Sequence, residues 1–347
     1  MSAREVLVLT LVSAFSAFPS PFYADIAAAS AWGLWTSAVL FAAHGVAVIV
    51  AMTWLRRAGM ARRVPSRSLV VVALLVDAVG GVLLALGMSA AGVGLLLAGR
   101  VVTGLALGLA TPLLTETLAR HARGTAWATA ATLGGVGMGA LAAAMLVATG
   151  VAVPAVFAAG ASVLALVALA VALSPTMVPA IVPTTAAPPS ASARDRALAA
   201  AVVLVFVANG LLGLFTSLVP AVVVAAIGGG SLLAGAVVAA TMIGAGAARL
   251  AMDASRPRVV ASVAVGSLGA GCFLFTAGVA AHQGPAVILG SVILGASCGL
   301  GYDAGLRMAI GSKVDALARV AALARAQRAG QLGLVVPALV FPALARA

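Results

Sequence analysis

Charge is what this sequence has least of. Only 8% of its 347 residues are Asp, Glu, Lys or Arg, too few to keep a chain of this length in solution. Acids are scarcer than bases, 8 against 20, and Lys313 is the only lysine. The resulting +12 does not point to nucleic acid, because the arginines recur between apolar runs instead of gathering on one polar domain. Cysteine is limited to Cys272 and Cys298, both inside apolar runs, so neither a disulfide framework nor a metal site is indicated. The three histidines, His44, His121 and His282, fall far apart along the chain. No nucleophile–base pair and no metal-ligand cluster is visible, so no enzyme, metal or cofactor is expected. What abounds is apolar surface, 63% of residues, with a mean hydropathy of +1.21. The chain is expected to be an all-α integral membrane protein whose environment is the lipid bilayer.

Taken in order, Val6 to Tyr23 reads as a first span, kinked or ended by Pro19 and Pro21. It has signal-peptide features, but no soluble domain follows, which favours an uncleaved helix. Leu34–Leu55 is the second span, with Trp32, Trp35 and Trp54 as interface anchors. Its His44 suits either a packed neutral histidine or a proton relay. Leu69–Met88, Gly92–Thr117, Ala126–Thr149 and Ala152–Leu173 complete six spans. The GGVGMG run at Gly134–Gly139 has no preceding strand and reads as helix packing, not as a nucleotide loop. Residues 174–197 carry five prolines and form an extended cytoplasmic linker between an N-terminal bundle, 1–173, and a C-terminal bundle, 198–347. Four further spans follow, Leu198–Ala226, Ser231–Met252, Val259–Ala281 and Pro285–Ile310. Gly311–Ala329 then reads as an amphipathic cytoplasmic helix, and Gly330–Leu344 opens an eleventh span. A twelfth is not seen.

Loop charge fixes the expected orientation. With the N-terminus inside, every arginine and lysine between spans lies on the inner side, from Arg4 and the Arg56–Arg67 loop to Lys313, Arg319, Arg325 and Arg328. The outer loops carry none, the segregation of a multi-pass protein of the cytoplasmic membrane. Two charges lie near the middle of spans. Asp77 and Arg100 each lie about 12 Å from one end of their helices, near the midplane, where a lone charge costs about 2.5–3.5 kcal/mol. An ion pair between them and a role in a proton or substrate pathway are both open. Asp303 and Arg307 in GYDAGLR are spaced to pair along one helix face near the inner end.

A repeat links the two halves. GRVVTGLALGL at Gly99–Leu109 is echoed by GSVILGASCGL at Gly290–Leu300, with glycines matching at 99/290, 104/295 and 108/299. By this pattern the chain resembles the major facilitator superfamily of secondary transporters over essentially its whole length. The fourth-helix pattern R-x-x-x-G-x-x-x-G stands here as Arg100, Gly104 and Gly108, and E-x(6)-R-G as Glu116, Arg123 and Gly124. The resemblance implies twelve helices in two bundles about a central cavity. It also implies a cytoplasmic charge network that includes Glu116 and Arg123. The family's basic loop after the second helix lacks its aspartate here, at Met52–Arg63. Asp253, with Arg256 and Arg258, is a partial equivalent in the second half. No Gly-Pro step follows Gly137 in the fifth helix.

These readings converge on a monomeric transporter with bundles of six and five helices, moving a small organic solute by alternating access. Asp77 and Arg100 are the midplane coupling candidates. Glu116, Arg123, Asp253, Asp303 and Arg307 form the expected cytoplasmic gate, and Phe18, His44, Asn209 and Tyr302 are the cavity candidates. Proton-coupled efflux of amphipathic, drug-like compounds is the first expectation, and uptake of a sugar or organic acid the second. A membrane protein that no longer transports and serves as a partner or sensor is the third.

Overall fold

The computed structural model describes residues 3–57, 66–90, 92–119, 121, 123–174, 196–252, 256–311 and 316–344, and all regular structure among them is helical. Ten of these helices are long and apolar enough to cross a membrane. The linker expected at 174–197 lies almost wholly outside the described residues, as do Asp253 and most of the basic loop after the second span.

The first span is a broken helix. α1 (Ala3–Ser16) stops short of Pro19, a single 3-10 turn covers Ser20–Phe22, and α2 (Tyr23–Ala28) completes the crossing. Proline supplies no N–H and forbids the turn before it from staying regular. The Ser20 N–H accordingly bonds the Ala17 carbonyl at 3.0 Å, and the Ser16 carbonyl is left without its helical donor.

α3 (Leu34–Arg57), α4 (Ser66–Ser89), α5 (Val93–Ala119), α6 (Gly124–Ala148) and α7 (Val153–Leu173) pack with α1 around one apolar core. Leu9, Phe22, Leu74, Leu113 and Phe157 are buried there. α5 reaches its neighbours through glycine. A Cβ at Gly104 would overlap the His44 carbonyl of α3, one at Gly108 the Val48 carbonyl, and one at Gly99 the Leu84 side chain of α4. Backbones packed this closely replace the missing hydrophobic drive between helices in lipid.

The second half repeats that construction. α8 (Arg196–Ser217) and the short α9 (Val219–Ile227) form another interrupted crossing, followed by α10 (Gly230–Ala251), α11 (Pro257–Ala280), α12 (Gly284–Gly311) and α13 (Ala316–Leu344). A Cβ at Gly295 of α12 would overlap the Thr241 carbonyl of α10, and one at Gly299 the Ala245 carbonyl. Gly290 meets the Phe275 backbone of α11 as Gly99 meets α4. The sequence repeat is thus a repeat of contacts.

Two sequence expectations change. Gly311–Ala329 and Gly330–Leu344 were expected as a cytoplasmic surface helix and a separate span, but from Ala316 they form one continuous helix, α13. Ala322 and Ala326 are buried with Ala201 and Val205 of α8, and Arg325 and Arg328 point away into the open. Small residues every third or fourth position, continuing through Gly330 and Gly333, give α13 a flat face for α8. In the first half, α7 covers α4; among the described residues no helix covers α11 in that way. Only 17% of the α11 span is buried, against 50% for α4. A cavity of about 380 Å³, lined by residues such as Leu218, Val222 and Phe275, opens on that flank.

Candidate functional site

The two helix groups meet along α6 and α10. The GGVGMG run does the joining: Gly135 and Gly139 lie against the Thr10 and Ala14 carbonyls of α1, and Gly137, on another face, lies against Ala239 and Met242 of α10. From the opposite side Gly235 takes Ala140 and Ala144. The central contact is apolar, with Ala17, Ala140, Leu212, Val238 and Met242 in one buried cluster.

Polar groups flank this junction. On the second-half side, Asn209 of α8 and the Tyr302 ring of α12 both face Gly330 of α13, where a Cβ would lie 2.8 Å from the Asn209 amide nitrogen and 3.3 Å from the ring. These two cavity candidates are therefore brought together. Phe18 is not with them. It stacks with Phe15 at 4.9 Å and Phe157 at 6.5 Å, inside the first core beside α7. His44 is also apart: its Nδ1 lies 3.2 Å from the Thr103 hydroxyl and 3.3 Å from the Arg100 carbonyl, at the tight α3–α5 crossing.

Arg100 answers the break in the first span. Its Nη1 donates to the orphaned Ser16 carbonyl at 2.7 Å, and its Nε approaches the Leu40 carbonyl at 3.4 Å. A guanidinium at the carbonyl end of a helix satisfies an unpaired acceptor and meets the negative end of the helix dipole. Of the two readings left open for Arg100 and Asp77, the ion pair is not formed. Asp77 is 1% exposed, and neither of its carboxylate oxygens has a hydrogen-bond partner. The reason is the proline break, which offers Arg100 a free carbonyl that regular helix pairing would have hidden.

At the end of the molecule that carries Arg4 and Arg256, charge is concentrated on α12. Asp303 bonds Arg249 of α10 at 2.7 Å and Arg307, one turn further on, at 2.6 Å. Arg249 was not singled out in the sequence. Its signal was a lone charge in the last turn of an apolar helix, level with Asp303 on the helix beside it. The groups are tied together nearby, since Arg123 donates from its Nη2 to the Leu250 carbonyl at 2.7 Å. Glu116 lies exposed at the same end of α5.

Arg123 holds φ at 59°, the left-handed region that costs a side-chain-bearing residue about 1–2 kcal/mol. Arg123→Gly removes the strain and the guanidinium together, so its folded yield should match or exceed wild type. Arg123→Ala keeps the strain and loses the Leu250 contact, so its yield should fall below both. Purified yield and thermal denaturation of the two variants check this, and a less stable Arg123→Gly than Arg123→Ala would contradict it.

Sequence comparison finds no matching protein family and no matching curated protein. Comparison of the fold does. The nucleoside transporter NupG aligns at a TM-score of 0.66 and 11% identity, over 97% of this chain and 90% of that one. An inward-facing, occupied structure of a bacterial homolog of the human lysosomal transporter Spinster gives 0.66 and 16%, over 97% and 79%. A D-xylose-proton symporter gives 0.66 and 15%, over 98% and 89%. The chain has the major facilitator fold, and with ten helices among the described residues long and apolar enough to cross a membrane it is a multi-pass membrane protein.

Proposed function

We propose that this protein is a secondary transporter of the cytoplasmic membrane that moves a small organic solute by alternating access. The observation that carries the reading is the doubled glycine contact, Gly104 and Gly108 of α5 against α3 matched by Gly295 and Gly299 of α12 against α10. Two equivalent bundles that meet along α6 and α10 can rock about a midplane site. Residues 1–173 and 198–347 are the moving units in this reading, with 174–197 linking them inside the cell. Proton-driven efflux of amphipathic compounds fits the apolar lining of the junction, and no enzymatic step is assigned.

An organic acid is the weaker substrate class, because Arg100 is 2% exposed and engaged with carbonyls. One observation favours a second reading, uptake of a hydroxylated, sugar-like solute: the Asn209 amide and Tyr302 beside Gly330 offer hydrogen bonds at the edge of the junction. Proteoliposomes loaded with fluorescent amphipathic cations or with labelled sugars, then given a pH gradient, separate the two. Movement of neither class, with or without the gradient, would count against transport.

The orientation has its own check. In a background with Cys272 and Cys298 replaced by serine, Ala29→Cys and Gln283→Cys should react with an impermeant thiol reagent added to intact cells. Thr125→Cys should react only after the membrane is opened. All three positions are exposed in the fold. Labelling of Thr125→Cys from outside would reverse the orientation.

A further inference from the structure

An ionised carboxylate buried without a donor costs several kcal/mol. Asp77 is buried with both oxygens unpartnered, so this conformation suits the neutral, proton-bearing acid. The elements packed on α4 supply few charges to face it. α5 supplies Arg100, within Coulombic reach of Asp77 yet bonded to Ser16 and Leu40 instead. α7 carries no titratable group, and α1 carries Arg4 and Glu5 only at its start. Arg67 sits at the far end of α4, with its Nε on the Val171 carbonyl at 3.1 Å. Tyr23 and His44 border Arg100.

We propose that Asp77 carries the proton of the transport cycle and that Arg100 alternates between two acceptors, the Ser16 carbonyl and the Asp77 carboxylate. With the proton on Asp77, Arg100 caps α1 as observed. When the Asp77 O–H gives its proton to water, the new anion draws the guanidinium across, and the Ser16 carbonyl loses its donor at the break in the first span. That break is mechanically placed: the 3-10 turn beyond it packs on α10, and α2 packs on α9. The protonation of α4 is thereby transmitted to the junction between the two helix groups. This mechanism rests on the transporter reading above, but the proton site itself can be tested without transport.

Infrared difference spectra of the purified full-length protein, taken across a pH series, read a buried protonated carboxyl directly. The wild type should show such a band at low pH, lose it as pH rises, and lack it in Asp77→Asn at every pH. In proteoliposomes, one proton per solute gives about tenfold accumulation for each pH unit of gradient. Asp77→Asn should abolish that factor, leaving any solute movement indifferent to the pH gradient. A wild-type spectrum with no Asp77-dependent band overturns the proposal, and so does undiminished gradient-driven accumulation in Asp77→Asn. If the band titrates but the wild type moves no solute, the proton site stands and the transporter reading fails.

Discussion

Asp303→Asn should lower the stability of the detergent-purified protein by about 3–5 kcal/mol, the range for removing one partner of a buried ion pair. The substitution is nearly isosteric, so packing is preserved and the loss is electrostatic. Asp303 forms ion pairs with two arginines at once. The Arg249 side chain is 8% exposed and has little access to compensating water; that of Arg307, 24% exposed, can extend its guanidinium toward the surface. Arg249→Met should cost less than Asp303→Asn, because Arg307 still shares the carboxylate. The double variant Arg249→Met/Asp303→Leu should recover much of the loss, since apolar side chains of similar volume avoid the desolvation cost altogether. Thermal denaturation of Arg249→Met, Asp303→Leu and their double variant beside the wild type closes a double-mutant cycle and measures the coupling. Purely additive effects would mean that the pair contributes nothing beyond its separate side chains.

Gly104→Leu and Gly295→Leu should each abolish most of the folded protein, an effect above about 4 kcal/mol. At both sites the new side chain would collide with a carbonyl of the facing helix, His44 in one case and Thr241 in the other. A backbone carbonyl cannot swing aside as a side chain can, so the two helices must separate along their length. Gly→Ala at the same positions should cost less but still register. The control is Gly266→Leu on α11, where a Cβ meets nothing within 4 Å, and its yield should be unchanged. Equal effects at positions 104 and 295 follow from the repeat. If only one of the two proved intolerant, the halves would not be built alike.

That equivalence was legible in the sequence because it rests on glycine spacing, and a missing side chain has one meaning wherever helices cross in lipid. The crossings were legible for a similar reason: apolar runs bounded by arginine specify where a helix enters and leaves. Pairings were harder. Arg249 meets Asp303 across fifty-four residues, and nothing local to either one names the other. Asp77 and Arg100 were the natural pair by depth. Their separation depends on Pro19 freeing the Ser16 carbonyl, which is a consequence of backbone geometry and not of charge. α13 was divided in the sequence reading because arginine outweighed alanine there. Packing reversed that: Ala322 and Ala326 face α8 and the arginines need only stay out of the way. Phe18 shows the limit for aromatics, since a ring in an apolar helix fits a core as readily as a cavity.

Alternating access is the central claim, and spin-label distances test it most directly. One pair, at Ala29 and Ala225, spans the contact between α2 and α9; the other, at Thr125 and Ala251, spans the end where Arg123 meets Leu250. With the native cysteines replaced, both pairs are measured in lipid at low and high pH, with and without transported solute. The account predicts reciprocal change, one pair lengthening as the other shortens. Distances that stay fixed under every condition, or that lengthen together, would contradict it.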